Sequence, residues 1–110
     1  MEHHIRLHPE PFIKIKEGKK TIESRLNDEK RQAFKVGDSL TFISRVDNSK
    51  IPTTILSLHY HPTFKELFST HPPEKFGGGN SNDLLKEIEL FYSPEEQEKY
   101  SVVGIEFKIK

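Results

Sequence analysis

The chain has no cysteine, and that absence excludes disulfides, thiol catalysis and cysteine-ligated zinc. It has no apolar run near the ~20 residues needed to cross a bilayer, and its N-terminus lacks a signal-peptide pattern. A soluble, cytoplasmic protein is therefore expected. Neither sign of charge is in excess: 17 Lys and Arg balance 17 Asp and Glu. That balance argues against a nucleic-acid binder working by bulk electrostatics alone. Apolar residues are also sparse, at 33% of 110 residues against 31% charged, so the core must be compact. Eight phenylalanines and three tyrosines supply much of its volume, since each aromatic buries roughly 150–250 Å². This length is near the lower range at which one core suffices without staples, and one domain spanning 1–110 is expected.

The charge is unevenly spread. From Lys14 to Lys35, eight Lys and Arg face four Asp and Glu, a balance of +4. From Asp83 to Glu98, six acids face one lysine, a balance of −5. One face can therefore attract phosphate while another repels it, or the charge merely keeps the chain solvated.

Pro9-Glu10-Pro11, followed by Phe12 and Ile15, predicts a short helix that ends before Gly18. Thr21 to Arg25 reads as a strand, followed by a polar segment containing Asp28 to Arg31. Val36-Gly37-Asp38 is a turn that launches a strand through Leu40, Phe42 and Val46. Asp47-Asn48-Ser49-Lys50 turns the chain back into a strand over Thr53 to Tyr60, with Pro52 at its start or edge. Thr63 to Glu66 fits a capping box for a helix carrying Phe64, Leu67 and Phe68. His71 to Asn82, with Pro72-Pro73 and Gly77-Gly78-Gly79, reads as a mobile loop. Asn82 then caps a helix with Leu84, Leu85, Ile88 and Phe91, and Ser93-Pro94-Glu95-Glu96 opens another. Val103, Ile105, Phe107 and Ile109 alternate with polar residues and glycine, as in a strand with one buried face. The central strands are joined by a turn too short for a parallel crossover. The expected fold class is α+β, a small curved sheet or barrel flanked by short helices.

The densest chemistry lies in Gly18-Lys19-Lys20-Thr21-Ile22-Glu23-Ser24-Arg25-Leu26-Asn27, which contains a G-x-K-x-x-E-x-R pattern. Side chains alternate along a strand, so Thr21, Glu23 and Arg25 share one face while Ile22 points to the other. Lys20, at the helix-to-strand junction, can swing either way. With Ile22 in the core, the polar face is expected outside it, because burial there demands costly compensation. Glu23 and Arg25 can form a surface ion-pair ladder worth only ~0–1 kcal/mol. Alternatively, they fix each other's geometry and leave guanidinium donors for a phosphate or a carbonyl. An ordinary strand would have used threonine or valine at these positions, which favours the second reading.

Phe12-x-x-Ile15-x-x-Gly18-Lys19-Lys20-Thr21-Ile22-Glu23-x-Arg25, with Val36-Gly37-Asp38 and the closing Val102-Val103-Gly104-Ile105, resembles the ASCH domain of the PUA-like superfamily. The resemblance covers essentially the whole chain. It implies a small PUA-like β-barrel with mixed or antiparallel curved sheet, and a cleft lined by the cassette that binds RNA or a modified nucleoside. Lys20, Glu23 and Arg25 match the signature positions of that cleft, with Lys19 and Asn27 as neighbours. Some members of the family resemble small amidohydrolases that remove the acetyl group of N4-acetylcytidine. They use a lysine matching Lys20, a threonine and a distant glutamate. Here the threonine position is Glu23, and the distant glutamate falls in the glycine run, with Glu74 only nearby. Ribonuclease action is also ascribed to some members.

Other residues carry weaker signals. His59 and His61 share a strand face at a spacing that suits two metal ligands, but no third is evident beyond His71 or Glu74. His3, His4 and His8 fall in an N-terminal strand or its fringe. Tyr60, Tyr92 and Tyr100 can stack on a base or pack in the core. The triple glycine lacks the G-K-[ST] of a phosphate loop and can serve as a flap hinge or a linker. The expectation is thus a binding module for RNA or a nucleoside- or nucleotide-like small anion. Its contacts are Lys19, Lys20, Thr21, Glu23, Arg25 and Asn27. The alternative is an amidohydrolase acting on acylated cytidine through Lys20 and Glu23, or a ribonuclease. Neither cofactor nor metal is called for, and neither a membrane nor an obvious protein partner is indicated, since no large apolar patch stands out.

Overall fold

The computed structural model describes residues 1–110. Strand β1 (Glu2–Leu7) leads into helix α1 (Pro9–Lys16), where prolines occupy the first helical turn and Phe12 and Ile15 turn inward. The cassette enters strand β2 (Ile22–Leu26), and helix α2 (Glu29–Gln32) follows. Strands β3 (Ser39–Ser44) and β4 (Lys50–His61) form the central hairpin. Helix α3 (Phe64–Ser69), a 3-10 turn (Pro73–Phe76), α4 (Ser81–Glu89) and α5 (Pro94–Tyr100) precede the final strand β5 (Val102–Ile109).

The strands form one curled sheet in the order β1-β3-β4-β5-β2. Only β1 and β3 run parallel; the other neighbours are antiparallel. The α+β class and the mixed, curved sheet agree with expectation, and the sheet stops at a half-barrel with β1 and β2 as its free edges. A register shift between Ile55 and Ser57 bends β4 where it passes from β3 to β5, as bulges do in closing sheets. Asp38 of the Val-Gly-Asp turn ties the N-terminal edge down. It accepts from Lys35 N at 3.1 Å and pairs with His3 Nε2 at 2.8 Å.

Two cores result. Inside the curl, Ile5, Phe42, Ile55, Val103, Ile105 and Phe107 pack with α1 residues Phe12 and Ile15. Outside it, Ile22, Leu26 and Val102 meet Phe64, Leu67, Phe68 and Leu84 of α3 and α4, together with Phe76. Full burial of each such side chain contributes about 1.5–3 kcal/mol. Strand β5 is therefore buried on both faces over Val102–Ile105, not on one, because α3 covers the outer face that alternation assigned to solvent.

Several local expectations shift. The polar Asp28 to Arg31 segment is the start of α2, with the Asp28 carboxylate accepting from Arg31 N at 3.1 Å. Val46 lies beyond the end of β3 and is exposed. Thr63 accepts from Glu66 N, but a reciprocal capping box forms only at Ser93 and Glu96. Asn80, not Asn82, caps α4, accepting from Asp83 N at 2.9 Å. The expected mobile loop contains the 3-10 turn, and buried Phe76 anchors that turn edge-on to Phe68.

Gly104 permits the close approach of α3 to β5, since a Cβ there would lie 2.8 Å from Leu67 Cδ1. Leu67 is fully buried and cannot swing away. Gly104→Ala is expected to destabilise the protein by about 1–3 kcal/mol in urea unfolding. The added cost should shrink in a Leu67→Ala background; equal costs in both would refute the close approach.

Candidate functional site

Strand β2 is an edge strand paired only with β5, and its register decides where the cassette points. Glu23 lies opposite Ile105 and Arg25 opposite Val103. Directly opposed residues share a face, so both charged side chains turn to the inner side of the half-barrel. Ile22 and Leu26 join the outer core. Because the sheet does not close, a cavity of about 540 Å³ opens here, walled by Leu7, His8 and Lys14 on one side and by Glu23 and Arg25 on the other. Phe76, Leu84, Ile88 and Tyr92 supply an apolar wall.

The polar face expected outside the core is in fact buried. Side-chain exposure is 10% for Lys20 and 7% for Glu23, and 17% for Arg25. The compensation is an ion triad. Lys20 Nζ forms an ion pair with Glu23 Oε1 at 3.1 Å, and Arg25 Nε donates to Glu23 Oε2 at 2.8 Å. Burial alone would raise the Glu23 carboxyl; the adjacent Lys20 and Arg25 cations outweigh it and hold the group below the usual carboxylate range. Burial likewise opposes the Arg25 charge, yet the Glu23 carboxylate, with Tyr92 nearby, holds its pKa above the ordinary value. Arg31 lies behind the triad with its Nε buried and unpartnered. Burial first, and then the Arg25 charge, lower its pKa.

Two backbone carbonyls fix the lysines. Lys20 Nζ donates to Phe76 O at 3.2 Å and Lys14 Nζ to Gly77 O at 2.7 Å. Gly77 has φ +83°, and a Cβ there would sit 3.2 Å from Lys14 Cδ and 3.3 Å from Lys20 Cβ. Glycine at this point does more than link two elements. It provides the left-handed turn and the clearance that let the chain cap both lysines.

The candidate residues divide into groups. Lys20, Glu23 and Arg25 meet in the cavity. Lys19 and Thr21 line a second, separate cavity with Glu74; Lys19 is 71% exposed and pairs with Glu17 at 3.4 Å. Asn27 lines neither cavity, and its Oδ1 is buried without a hydrogen-bond partner. His59 pairs with Glu106 at 2.9 Å and meets the edge of the His71 ring. No group of three or more His, Asp or Glu residues is placed to hold a metal ion. Sequence reasoning missed Arg6, His8, Lys14 and Arg45 as cavity residues. Lys14 alone carried a signal, from its place in the +4 segment. Tyr92 packs on Phe64, with ring centroids 5.6 Å apart, and also lines the cavity.

Comparisons with known proteins place these features in context. The family model described as the ASCH domain matches residues 5–110. The crystal structure of hypothetical protein PH0355 superimposes with a TM-score of 0.89 at 32% identity, covering 100% of each chain. The solution structure of protein PF0455 from Pyrococcus furiosus gives 0.78 at 31% identity, over 99% of this chain and 97% of that one. A mutant ASCH protein from Zymomonas mobilis gives 0.61 at 18% identity, over 97% of this chain and 67% of that one, a likeness of fold alone. No functionally curated protein matches the chain. No helix is long and apolar enough to cross a membrane.

The triad makes a pH prediction. With its folded pKa held below the unfolded value, Glu23 stabilises the fold fully above the ordinary carboxylate range. That contribution is lost as pH falls through the lower, folded value. Glu23→Gln leaves two partly buried cations unpaired and is expected to cost about 3 kcal/mol at pH 7. Urea unfolding of the variant should be flatter than wild type on the acid side; an equally steep acid loss would place the responsible carboxylate elsewhere.

Proposed function

The chain belongs to the ASCH domain family, which is associated with RNA binding, and from that premise we propose that it binds RNA or a nucleoside-like ligand in the half-barrel cavity. The observation that carries this reading is the buried Lys20–Glu23–Arg25 triad, whose internal bonds leave hydrogen-bonding capacity unspent. Lys20 donates to Phe76 O and ion-pairs with Glu23, and Arg25 uses only Nε of its guanidinium for Glu23. Each Glu23 oxygen meets one cation in the triad and retains a lone pair. A fixed carboxylate beside a fixed guanidinium suits a base edge that carries an amino donor next to a ring acceptor. The aromatic and aliphatic wall of Phe76, Leu84 and Tyr92 suits the face of such a base. The volume falls within the about 300–1,000 Å³ usual for ligand sites.

Binding has more support than hydrolysis. A carboxylate held below its usual range by two cations is a weak general base. The nearest candidate for the distant glutamate, Glu74, lines the other cavity.

Wild type is expected to bind a short single-stranded RNA such as hexacytidylate, read by fluorescence anisotropy. Arg25→Lys keeps the charge but loses the planar fork, and should weaken binding by roughly tenfold, or about 1.4 kcal/mol, without altering the circular dichroism spectrum. Unchanged affinity in this variant and in Lys20→Ala would remove the site from consideration. N4-acetylcytidine incubated with the protein should be recovered intact; release of cytidine would replace binding with amidohydrolysis.

A further inference from the structure

The cassette divides its polar residues between two cavities that share a wall. The second, of about 590 Å³, is lined by Lys14, Gly18, Lys19, Thr21, Glu74, Lys75, Gly77 and Gly78, with no apolar side chain among them. Three lysines face one glutamate there. Lys19 and Lys14 each reach an acid nearby, Glu17 at 3.4 Å and Glu10 at 3.2 Å, whereas Lys75 pairs with none. No aromatic or branched aliphatic side chain lines this groove, whose walls are largely lysine stems and glycine backbone, so it offers no flat wall on which a base would stack. Its lysines, as point charges, and the Thr21 hydroxyl suit a phosphate.

The partition between the cavities is the Lys14 Nζ bond to Gly77 O, and both residues line both spaces. A ligand extending from the first cavity past these shared residues would reach the lysine groove. We propose that the groove takes a phosphate of the nucleotide whose base occupies the first cavity, making the ligand a nucleotide or RNA strand and not a free nucleoside. This rests on the base-cavity reading above. It also gives Lys19 and Thr21 a role apart from the triad: they act on the phosphate, while Lys20, Glu23 and Arg25 act on the base.

The test titrates the intact protein with cytidine, cytidine 5′- and 3′-monophosphates and tricytidylate. It follows the amides of Thr21, Lys75 and Gly78 for the groove and the Arg25 Nε–H for the base cavity. Tricytidylate and one of the two monophosphates are expected to bind about tenfold tighter than cytidine and to move both sets of signals. The gain should fall as salt is raised, as an exposed ionic contact does. Which of the two monophosphates shows the gain identifies the side on which the strand leaves. Lys75→Gln should remove most of the gain and leave cytidine affinity unchanged. Equal affinities with silent groove amides would overturn the phosphate groove and leave the base-cavity reading standing. Shifts confined to the groove, with Arg25 silent, would overturn the base-cavity reading and the linkage between the two spaces. Binding of inorganic phosphate that moves the groove amides as strongly as the monophosphates do would likewise refute that linkage.

Discussion

Glu23 is a carboxylate turned inward from an edge strand, and withdrawing such a charge from water costs several kcal/mol unless its partners are fixed in place. Much of the surrounding architecture meets that constraint. Arg25 can satisfy one oxygen because it lies two positions along the same strand face. Lys20 must fold inward to satisfy the other, and its ammonium then needs a further acceptor, which the Phe76 carbonyl supplies. Holding that carbonyl in place requires the 3-10 turn, the anchoring of Phe76 in the outer core, and a left-handed residue without a side chain at Gly77. One buried charge thus specifies features on two segments far apart in the chain.

The same constraint explains how a chain with no net charge can hold a charged site. The triad carries two cations and one anion in a confined space, and the acidic helices at the C-terminal end do not need to neutralise it. Under the proposed function, attraction for a ligand would come from local geometry and low exposure more than from the long-range field, which salt screens over roughly 8 Å at physiological ionic strength. Selectivity would follow from the same arrangement, since a rigid carboxylate excludes ligands that offer it no donor.

Elements marked by local chemistry were legible in the sequence. Prolines and Gly18 delimit α1, alternation reveals β5, and the Ser93 capping box opens α5. The association of Glu23 with Arg25 follows from strand parity alone. Local cues failed where two readings were equivalent or where the decisive partner was distant. Asn80 and Asn82 are both good caps, and the burial of Leu84 on the outer core sets the start of α4. Helix α2 is four residues long with no buried side chain, so it lacks a hydrophobic period. Parity could not assign Lys19 and Lys20, because the backbone is still leaving the helix there; the carbonyl that captures Lys20 belongs to a residue 56 positions away. Covering β5 on both faces likewise depends on α3, which alternation within the strand cannot anticipate.

The pairing of β2 with β5 alone also sets the order in which the site can come into being. Lys20, Glu23 and Arg25 are adjacent in sequence, yet the strand that carries two of them has no hydrogen-bonding neighbour until Val102–Ile109 has been synthesised. The lysine-capping carbonyls are themselves 56 and 63 residues downstream of their partners. On the ribosome the cassette therefore cannot take up these folded contacts until most of the chain has been made, and closure of such long loops comes late. A nascent or truncated chain lacking β5 would carry the full motif and still lack the β2 pairing that shapes the pocket, so under the proposed function ligand capture would be confined to chains that have completed folding.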